Sequence, residues 1–195
     1  MQGDLLTVAL EGPSFSGKTI LINRSKMQTA LIAIPEYYEL NNGTSLAGTN
    51  TQRDALGQME VFFKLMRIEC QRQRVLKEAM LENKMVLLDR TFFSLIGYEY
   101  ARYGSRETWK KIKNIIEQCE FIAPQLILYI DTPVNEVKKR GISNGMLKDH
   151  IMLNKYFIEK NREFFLKKIS EFTDVKSCTY DEAEIFIRNW SDKRI

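Results

Sequence analysis

Four short apolar runs recur along the chain, and none of them alternates regularly with polar residues. They are LLTVAL (5–10), LIAIP (31–35), MVLLD (85–89) and LILYID (126–131). Nearly continuous apolar runs of this length are typical of strands in a parallel sheet that is covered on both faces. A weaker candidate, FTDVKS (172–177), lies near the C-terminus. The pattern therefore predicts about five parallel strands.

Segments with a helical period separate these strands. The longest segment lies between the second and third strands and ends near Lys84. Its apolar residues recur at helical intervals: Met59, Phe62, Phe63, Met66 and Cys70. A second, aromatic helix is predicted from Asp149 to about Ile169. Because strands and helices alternate, we predict one α/β domain over residues 1–195, an open parallel sheet with helices on both faces.

The segment after the fourth strand predicts a helix followed by a loop. Thr132 can cap a helix whose first residue is Pro133, and Gly141 can close it. The next stretch, GISNGMLKD (141–149), contains two glycines together with Ser143 and Asn144. This composition favours a mobile loop, which we interpret as a short lid.

Composition and charge narrow the choice of function. Hydrophobic residues make up 44% of the chain and charged residues 28%, and the net charge is only +4 without a long block of like charge. Binding to nucleic acid or to a membrane is therefore not expected, whereas a pocket for a small anion fits. No apolar run is long enough to span a bilayer, and no signal peptide is expected. Cys70, Cys119 and Cys178 lack metal-site spacing, which is typical of reduced thiols in a cytoplasmic protein.

The sequence GPSFSGKT (12–19) matches the phosphate-binding pattern G-x-x-x-x-G-K-[ST] at every fixed position. It follows a predicted strand and precedes a helix predicted from Thr19 to about Gln28, which is the context that the pattern requires. The loop and its helix start are formed by Gly12, Pro13, Ser14, Phe15, Ser16, Gly17, Lys18 and Thr19.

Each fixed position of this loop has a physical reason. Gly12 and Gly17 allow a tight turn that aims backbone N–H groups at phosphate oxygens. The N-terminus of the following helix favours the same anion. Lys18 can reach the β- and γ-phosphates, and the Thr19 hydroxyl can bind Mg²⁺. We therefore predict a site for a nucleoside triphosphate with magnesium.

The third predicted strand ends in Asp89-Arg90, beside the phosphate loop in such a sheet. A carboxylate at this point can hold Mg²⁺ or its water, and an arginine can neutralise a phosphate bridge between two substrates. A surface salt bridge would also explain the pair. A guanine-nucleotide switch is disfavoured, because NKYF (154–157) lacks the aspartate of the base-reading motif.

Three further segments resemble thymidylate kinases. They are VFFKLMR (61–67), DRTFFSLIGYEYA (89–101) and PQLILYIDTPVNEVKKRG (124–141), and with the phosphate loop the resemblance covers most of residues 8–170. It implies the nucleoside monophosphate kinase fold with strand order 2-3-1-4-5, ATP and Mg²⁺ as cofactors, and a homodimer.

The resemblance also implies roles for individual residues. Phe63 would stack on the acceptor base, and Arg67 would hold the acceptor phosphate together with Arg90. Arg140, at the lid, would reach ATP or the transferred phosphoryl group. The helix face that carries Ser94 and Tyr98 is expected to wall the acceptor pocket.

Three departures from the thymidylate kinase pattern leave the base undetermined. Ser14 or Phe15 stands where these kinases carry an acid that contacts the sugar, and IPEYYEL (34–40) replaces Asp/Glu-Pro-Gly-Gly-Thr. Tyr98-Glu99 replaces Tyr-Gln, which removes an amide that contacts thymine. A nucleotide kinase is still predicted, without thymidine specificity.

The segment IPEYYEL also fits a related family, the deoxynucleoside kinases. Glu36 lies where those enzymes place the general base for a 5′-hydroxyl. A sugar hydroxyl is a poor nucleophile and benefits from a base, whereas a phosphate acceptor needs cationic clamps. A regulatory ATPase and a nucleotide-binding protein without catalysis are further alternatives. Arg67, Arg90 and the lid favour a second, anionic substrate over both.

Overall fold

The structure is a computed structural model that describes residues 6–26, 31–41, 55–103, 106–118 and 120–192. Side chains at 55–60, 62, 103, 106 and 108 are not part of that description. Cys119, the side chains of Met59 and Phe62, and the predicted end of the first helix near Gln28 therefore lie outside the described residues.

In the part of the chain that the structure describes, five parallel strands form one sheet. They are β1 Thr7–Glu11, β2 Leu31–Ile34, β3 Met85–Asp89, β4 Leu126–Ile130 and β5 Asp174–Cys178. Their order is β2-β3-β1-β4-β5, which confirms the predicted fold class and strand order. Two strands begin later than their predicted runs: β1 begins at Thr7 rather than Leu5, and β5 begins at Asp174 rather than Phe172.

Helices cover both faces of this sheet. The described α-helices are α1 Lys18–Ser25, α2 Tyr37–Leu40, α3 Ala55–Leu81, α4 Phe92–Tyr103, α5 Arg106–Gln118, α6 Val134–Ser143, α7 Lys155–Glu163 and α8 Tyr180–Ser191. No helix in this part of the chain is both long enough and apolar enough to cross a membrane.

Adjacent side chains of a central strand enter two different cores. Val8 and Leu10 of β1 belong to a buried cluster with Leu21 of α1 and Ile187 of α8. Ala9 faces the opposite side, where a second cluster contains Leu76, Phe92, Phe93, Phe164 and Phe165. Because both faces are buried, every position of β1 and β3 avoids water, which explains the apolar runs in the sequence.

The helix after β4 differs from the prediction at both ends. Pro133 is its N-cap, and Thr132 makes no capping hydrogen bond, so the predicted threonine cap is wrong. Gly141 does not close the helix, which continues to Ser143. The glycine is needed for packing instead, because a Cβ there would lie 2.5 Å from Leu153 Cδ2. The predicted lid at 141–149 thus has its first three residues inside α6.

The predicted aromatic helix at 149–169 is divided into several pieces. A 3₁₀ turn at Ile151–Leu153 precedes α7, and Asn154 caps α7 by accepting a hydrogen bond from the Phe157 amide. A π-helical turn, Phe164–Lys168, and a second 3₁₀ turn, Ile169–Glu171, then lead towards β5.

The sheet brings two chemically important strand ends together. Leu10 of β1 pairs with Asp89 of β3, so the phosphate loop begins beside the Asp89-Arg90 pair. The carboxyl ends of parallel strands flank the crevice in which ligands bind in open α/β sheets. The fold therefore places the predicted chemistry at this edge.

Candidate active site

The loop at residues 12–17 has the backbone geometry that its glycines predict. Gly12 has a φ of 133°, and a Cβ there would lie 2.6 Å from the Ile130 carbonyl oxygen. Gly17 has a φ of 95°, and a Cβ there would lie 2.7 Å from the Tyr180 ring. Any side chain at either position would collide with β4 or α8. Phe15 is also left-handed, with a φ of 64°.

Lys18 is held inside this loop. Its Nζ donates to the Gly12 carbonyl at 3.2 Å, the Pro13 carbonyl at 2.7 Å and Ser16 Oγ at 3.0 Å. Burial, together with the charge of Arg90, lowers the pKa of Lys18 to about 7. An arriving phosphate would favour the charged ammonium, so the lysine is suited to an anion.

Thr19 and Asp89, the predicted magnesium ligands, are in contact. The Thr19 hydroxyl donates to Asp89 Oδ2 at 2.9 Å. The other carboxylate oxygen, Asp89 Oδ1, is buried and has no hydrogen-bond partner among the described residues. Burial raises the pKa of Asp89, and the Lys18 charge opposes that shift only in part. A buried carboxylate oxygen without a donor, beside a hydroxyl, fits a hard cation such as Mg²⁺.

Arg90 connects the loop after β2 with the phosphate loop. Its Nε lies 3.2 Å from Glu36 Oε2, and its Nη1 donates to the Gly12 carbonyl at 3.2 Å. Burial would raise the pKa of Glu36, but the charges of Arg90 and Lys18 outweigh it and lower that pKa. Glu36 is therefore ionised at neutral pH.

A second carboxylate, Glu11, lies beneath Arg90 and is not identified from the sequence. It is fully buried and accepts hydrogen bonds from the Thr91 amide at 2.8 Å, the Thr91 hydroxyl at 2.7 Å and Ser94 Oγ at 2.6 Å. Burial raises the pKa of Glu11, although the Arg90 charge opposes the shift. The available signal was a charged residue ending an apolar strand, directly before Gly12.

Arg72 of α3 is the other residue that the sequence did not reveal. Its side chain is almost fully buried, and its Nη2 donates to the Asp89 carbonyl at 3.0 Å and to the Arg90 carbonyl. Ile68, Arg72 and Leu76 follow each other at intervals of four along α3 and are all buried. That spacing in the sequence places an arginine in a buried stripe, which is a detectable signal.

Phe63 and Arg67, the predicted acceptor contacts, lie on an exposed face of α3. The Phe63 side chain is 55% exposed. Their spacing of four places them on the same face of the helix, as expected. The structure brings Arg72, rather than Arg67, against the Asp89-Arg90 backbone.

Ser94 and Tyr98 make separate contacts. Ser94 donates to Glu11, at the base of the site. The Tyr98 ring packs edge-on against Phe157 of α7, with ring centroids 5.2 Å apart. Their predicted place in an acceptor wall stays a prediction.

Arg140 of α6 reaches the phosphate loop. Its Nη1 donates to the Phe15 carbonyl at 3.2 Å, and its Nε lies 3.8 Å from Glu136 one turn earlier. The exposed guanidinium thus lies at the mouth of the loop. Of the predicted ATP contacts, Arg140 is the one that comes from a distant segment.

Comparison with known proteins relates part of the chain to a described protein. No family model matches the chain. A protein of Thermococcus onnurineus (strain NA1), described as a probable thymidylate kinase, is 29% identical over 104 residues. The match covers 53% of this chain and 47% of the relative, so the chain spans about half the length of the curated relative it matches. Together with the parallel sheet, this supports a kinase-like relationship.

Proposed function

We propose that this chain transfers the γ-phosphoryl group of ATP to a nucleoside monophosphate, in the manner of a thymidylate kinase. One observation carries the proposal: Lys18 Nζ and Arg90 Nη1, from different elements, each lie 3.2 Å from the Gly12 carbonyl oxygen. Two cations that converge on one loop suit a phosphoryl group that passes between two anionic substrates.

The ATP side of the site is formed by the phosphate loop and by Arg140. The loop amides and Lys18 bind the phosphates, while Arg140 approaches from α6. Thr19 and Asp89 would hold magnesium, which neutralises phosphate charge when bound. The unpartnered Asp89 Oδ1 supports this assignment.

The acceptor side is formed by the turn after β3 and by α3. Arg90 would release Glu36 to hold the acceptor phosphate, while Arg67 and Phe63 would contact the acceptor from α3. The anionic oxygen of a monophosphate needs no base, so positioning and charge neutralisation suffice for this reaction. Because Arg90 would change partners when the acceptor binds, the clamp would be in place before the transition state and would cost no reorganisation during transfer.

A second candidate is phosphorylation of a nucleoside 5′-hydroxyl with Glu36 as general base. The observation that favours it is an ionised Glu36 within the site, 3.2 Å from Arg90 Nε. Its lowered pKa makes Glu36 a weaker base than an ordinary glutamate, which favours the phosphate acceptor. The substrate panel below separates the two reactions.

The test is transfer from γ-labelled ATP with separation of the products, across nucleosides and nucleoside monophosphates. A labelled nucleoside diphosphate supports the main proposal and identifies the base. A labelled nucleoside monophosphate would instead support the second candidate, a nucleoside kinase. Free phosphate alone would indicate an ATPase switch, and no turnover at all a nucleotide-binding protein without catalysis.

A further inference from the structure

We propose that Arg72 is a positioning residue, which holds the turn at Asp89, Arg90 and Thr91 so that Arg90 points at the phosphate loop. The catalytic part of this inference rests on the proposed function. Its structural part, the conformation of Arg90, does not.

Arg90 needs such support because its backbone is strained. Its φ of 64° lies in the left-handed region, which side-chain-bearing residues rarely adopt. A strained conformation persists only where its surroundings fix it. Because φ helps to set the direction in which a side chain leaves the backbone, loss of this conformation would disturb the contacts of Arg90 with Gly12 and Glu36.

The backbone polar groups of the turn are held from several elements. The Arg90 amide donates to the Leu10 carbonyl at 3.0 Å, and the Thr91 amide donates to Glu11 at 2.8 Å. The carbonyls of Asp89 and Arg90 both accept from Arg72 Nη2. β1 therefore holds the amides of Arg90 and Thr91, and Arg72 of α3 holds the carbonyls of Asp89 and Arg90. The Thr91 carbonyl accepts from the Ser94 amide of α4.

The charge of Arg72 is balanced within the same buried cluster. Its Nη1 lies 3.6 Å from Glu69 Oε2, and that carboxylate accepts from the Tyr37 hydroxyl at 2.6 Å. The Arg72 guanidinium also stacks over the Tyr37 ring, 4.5 Å from its centroid. Because Tyr37 follows Glu36 in the chain, one cluster fixes the backbone of both partners in the Glu36–Arg90 pair.

Stability alone does not explain why a buried ion pair stands at this position. Burying an ion pair costs desolvation, and apolar residues of similar volume are often at least as stable. Two guanidinium nitrogens, Arg72 Nε and Nη1, also lack hydrogen-bond partners among the described residues. A buried arginine that donates to the carbonyls of a strained turn, at this cost, indicates a role in placing Arg90.

The test compares Arg72→Gln with Arg74→Gln, an exposed arginine on the same helix. The φ of Arg90 is measured by NMR scalar couplings without nucleotide, and kcat and the Kd for ATP are measured separately. In Arg72→Gln we expect Arg90 to leave the left-handed region and kcat to fall at least about 30-fold. The Kd for ATP stays within about threefold, because the phosphate loop is intact. Arg74→Gln should leave all three quantities, the φ of Arg90, kcat and the Kd for ATP, unchanged.

A double-mutant cycle with Arg90→Gln separates positioning from general damage. If Arg72 acts through Arg90, adding Arg72→Gln to Arg90→Gln lowers kcat by less than about threefold. If the losses of kcat in the two single variants multiply in the double variant, or if the φ of Arg90 is unchanged in Arg72→Gln, the inference is wrong. If Arg72→Gln does not fold, the same measurements are made on Arg72→Lys, which keeps a charge beside Glu69. If the wild-type protein transfers phosphate to no acceptor, the proposed function is wrong. The effect of Arg72→Gln on the φ of Arg90 then tests this inference by itself.

Discussion

The phosphate loop and the Asp89-Arg90 turn each hold a cation beside the same carbonyl, but by different means. Within the described residues, Lys18 Nζ donates to groups two to six positions away. Arg90 contacts residues 54 and 78 positions away, and its backbone is held by Arg72, 18 positions away. A local loop forms from its own sequence, whereas the turn requires the whole sheet and α3. We therefore expect ATP binding to tolerate changes that abolish acceptor binding.

The largest expected effect comes from the local loop. Lys18→Ala should lower the rate of transfer at least about 100-fold, or about 3 kcal/mol, because one charge contact to the transition state is lost. The protein should stay folded, since the change removes a buried cation. Transfer rates and thermal unfolding check both parts. Full turnover in a folded Lys18→Ala variant would refute the assignment of the loop.

Glu36→Gln tests the part of the site around Arg90, which is built from distant segments of the chain. If Glu36 is the base for a hydroxyl acceptor, kcat should fall about 100-fold or more. If the acceptor is a monophosphate, the variant frees Arg90 from its pair, and kcat should change less than about threefold. The exposed Glu39, in the next helix, provides a matched control as Glu39→Gln. Equal losses of kcat of more than about threefold in Glu36→Gln and Glu39→Gln would contradict both roles.

Asp89→Asn tests the point at which the two regions meet. The amide keeps the shape of the side chain but removes the charge, so the magnesium concentration for half-maximal rate should rise about tenfold or more. Stability should not fall, because burial already raises the pKa of this carboxyl. Asp174→Asn, at an exposed strand start, is the control. An unchanged magnesium requirement in Asp89→Asn would exclude Asp89 as a ligand.

The depressed pKa of Lys18 predicts a pH dependence of stability. Its pKa is about 7 when folded, against 10.5 ordinarily, so the unfolded chain binds more protons between these values. The free energy of unfolding should therefore rise with pH in that window, by up to about 1.4 kcal/mol per unit from this group. Denaturant titrations of wild type and Lys18→Met at several pH values isolate the contribution. Identical slopes for the two proteins would contradict it.

The smallest expected effect concerns the contact between α6 and the loop. In Gly141→Ala, the new Cβ would lie 2.5 Å from Leu153 and 3.0 Å from Phe15 Cε2. Overpacking of this kind costs about 1–3 kcal/mol of stability, and we expect weaker ATP binding through Phe15. Gly145→Ala separates the two effects, because a Cβ there meets nothing within 4 Å while the φ of 81° is strained for alanine. It therefore reports backbone strain without a collision, and Gly141→Ala reports the collision. A Gly141→Ala variant as stable as wild type would exclude this tight contact.

The contrast between a local loop and a turn held by distant residues also explains what the sequence can predict. The strands and the phosphate loop follow from local patterns, and β3 begins and ends as predicted. Glu11 and Arg72 were missed because a charge on a buried face has meaning only once its partners are known. The role of Gly141 also depends on a distant partner. From the sequence, a glycine that makes room for Leu153 cannot be distinguished from a glycine that ends a helix. The roles of Phe63 and Arg67 remain predictions, because their face of α3 is exposed.

The central claim is that the loop binds ATP while the Arg90 turn serves the acceptor. The most direct measurement is a comparison of wild type and Arg90→Gln, with ATP binding followed by titration calorimetry and transfer followed at varied acceptor concentration. We predict a Kd for ATP within about threefold of wild type and a kcat/KM for the acceptor at least about 100-fold lower. Lost ATP binding with an unchanged kcat/KM for the acceptor would contradict the account.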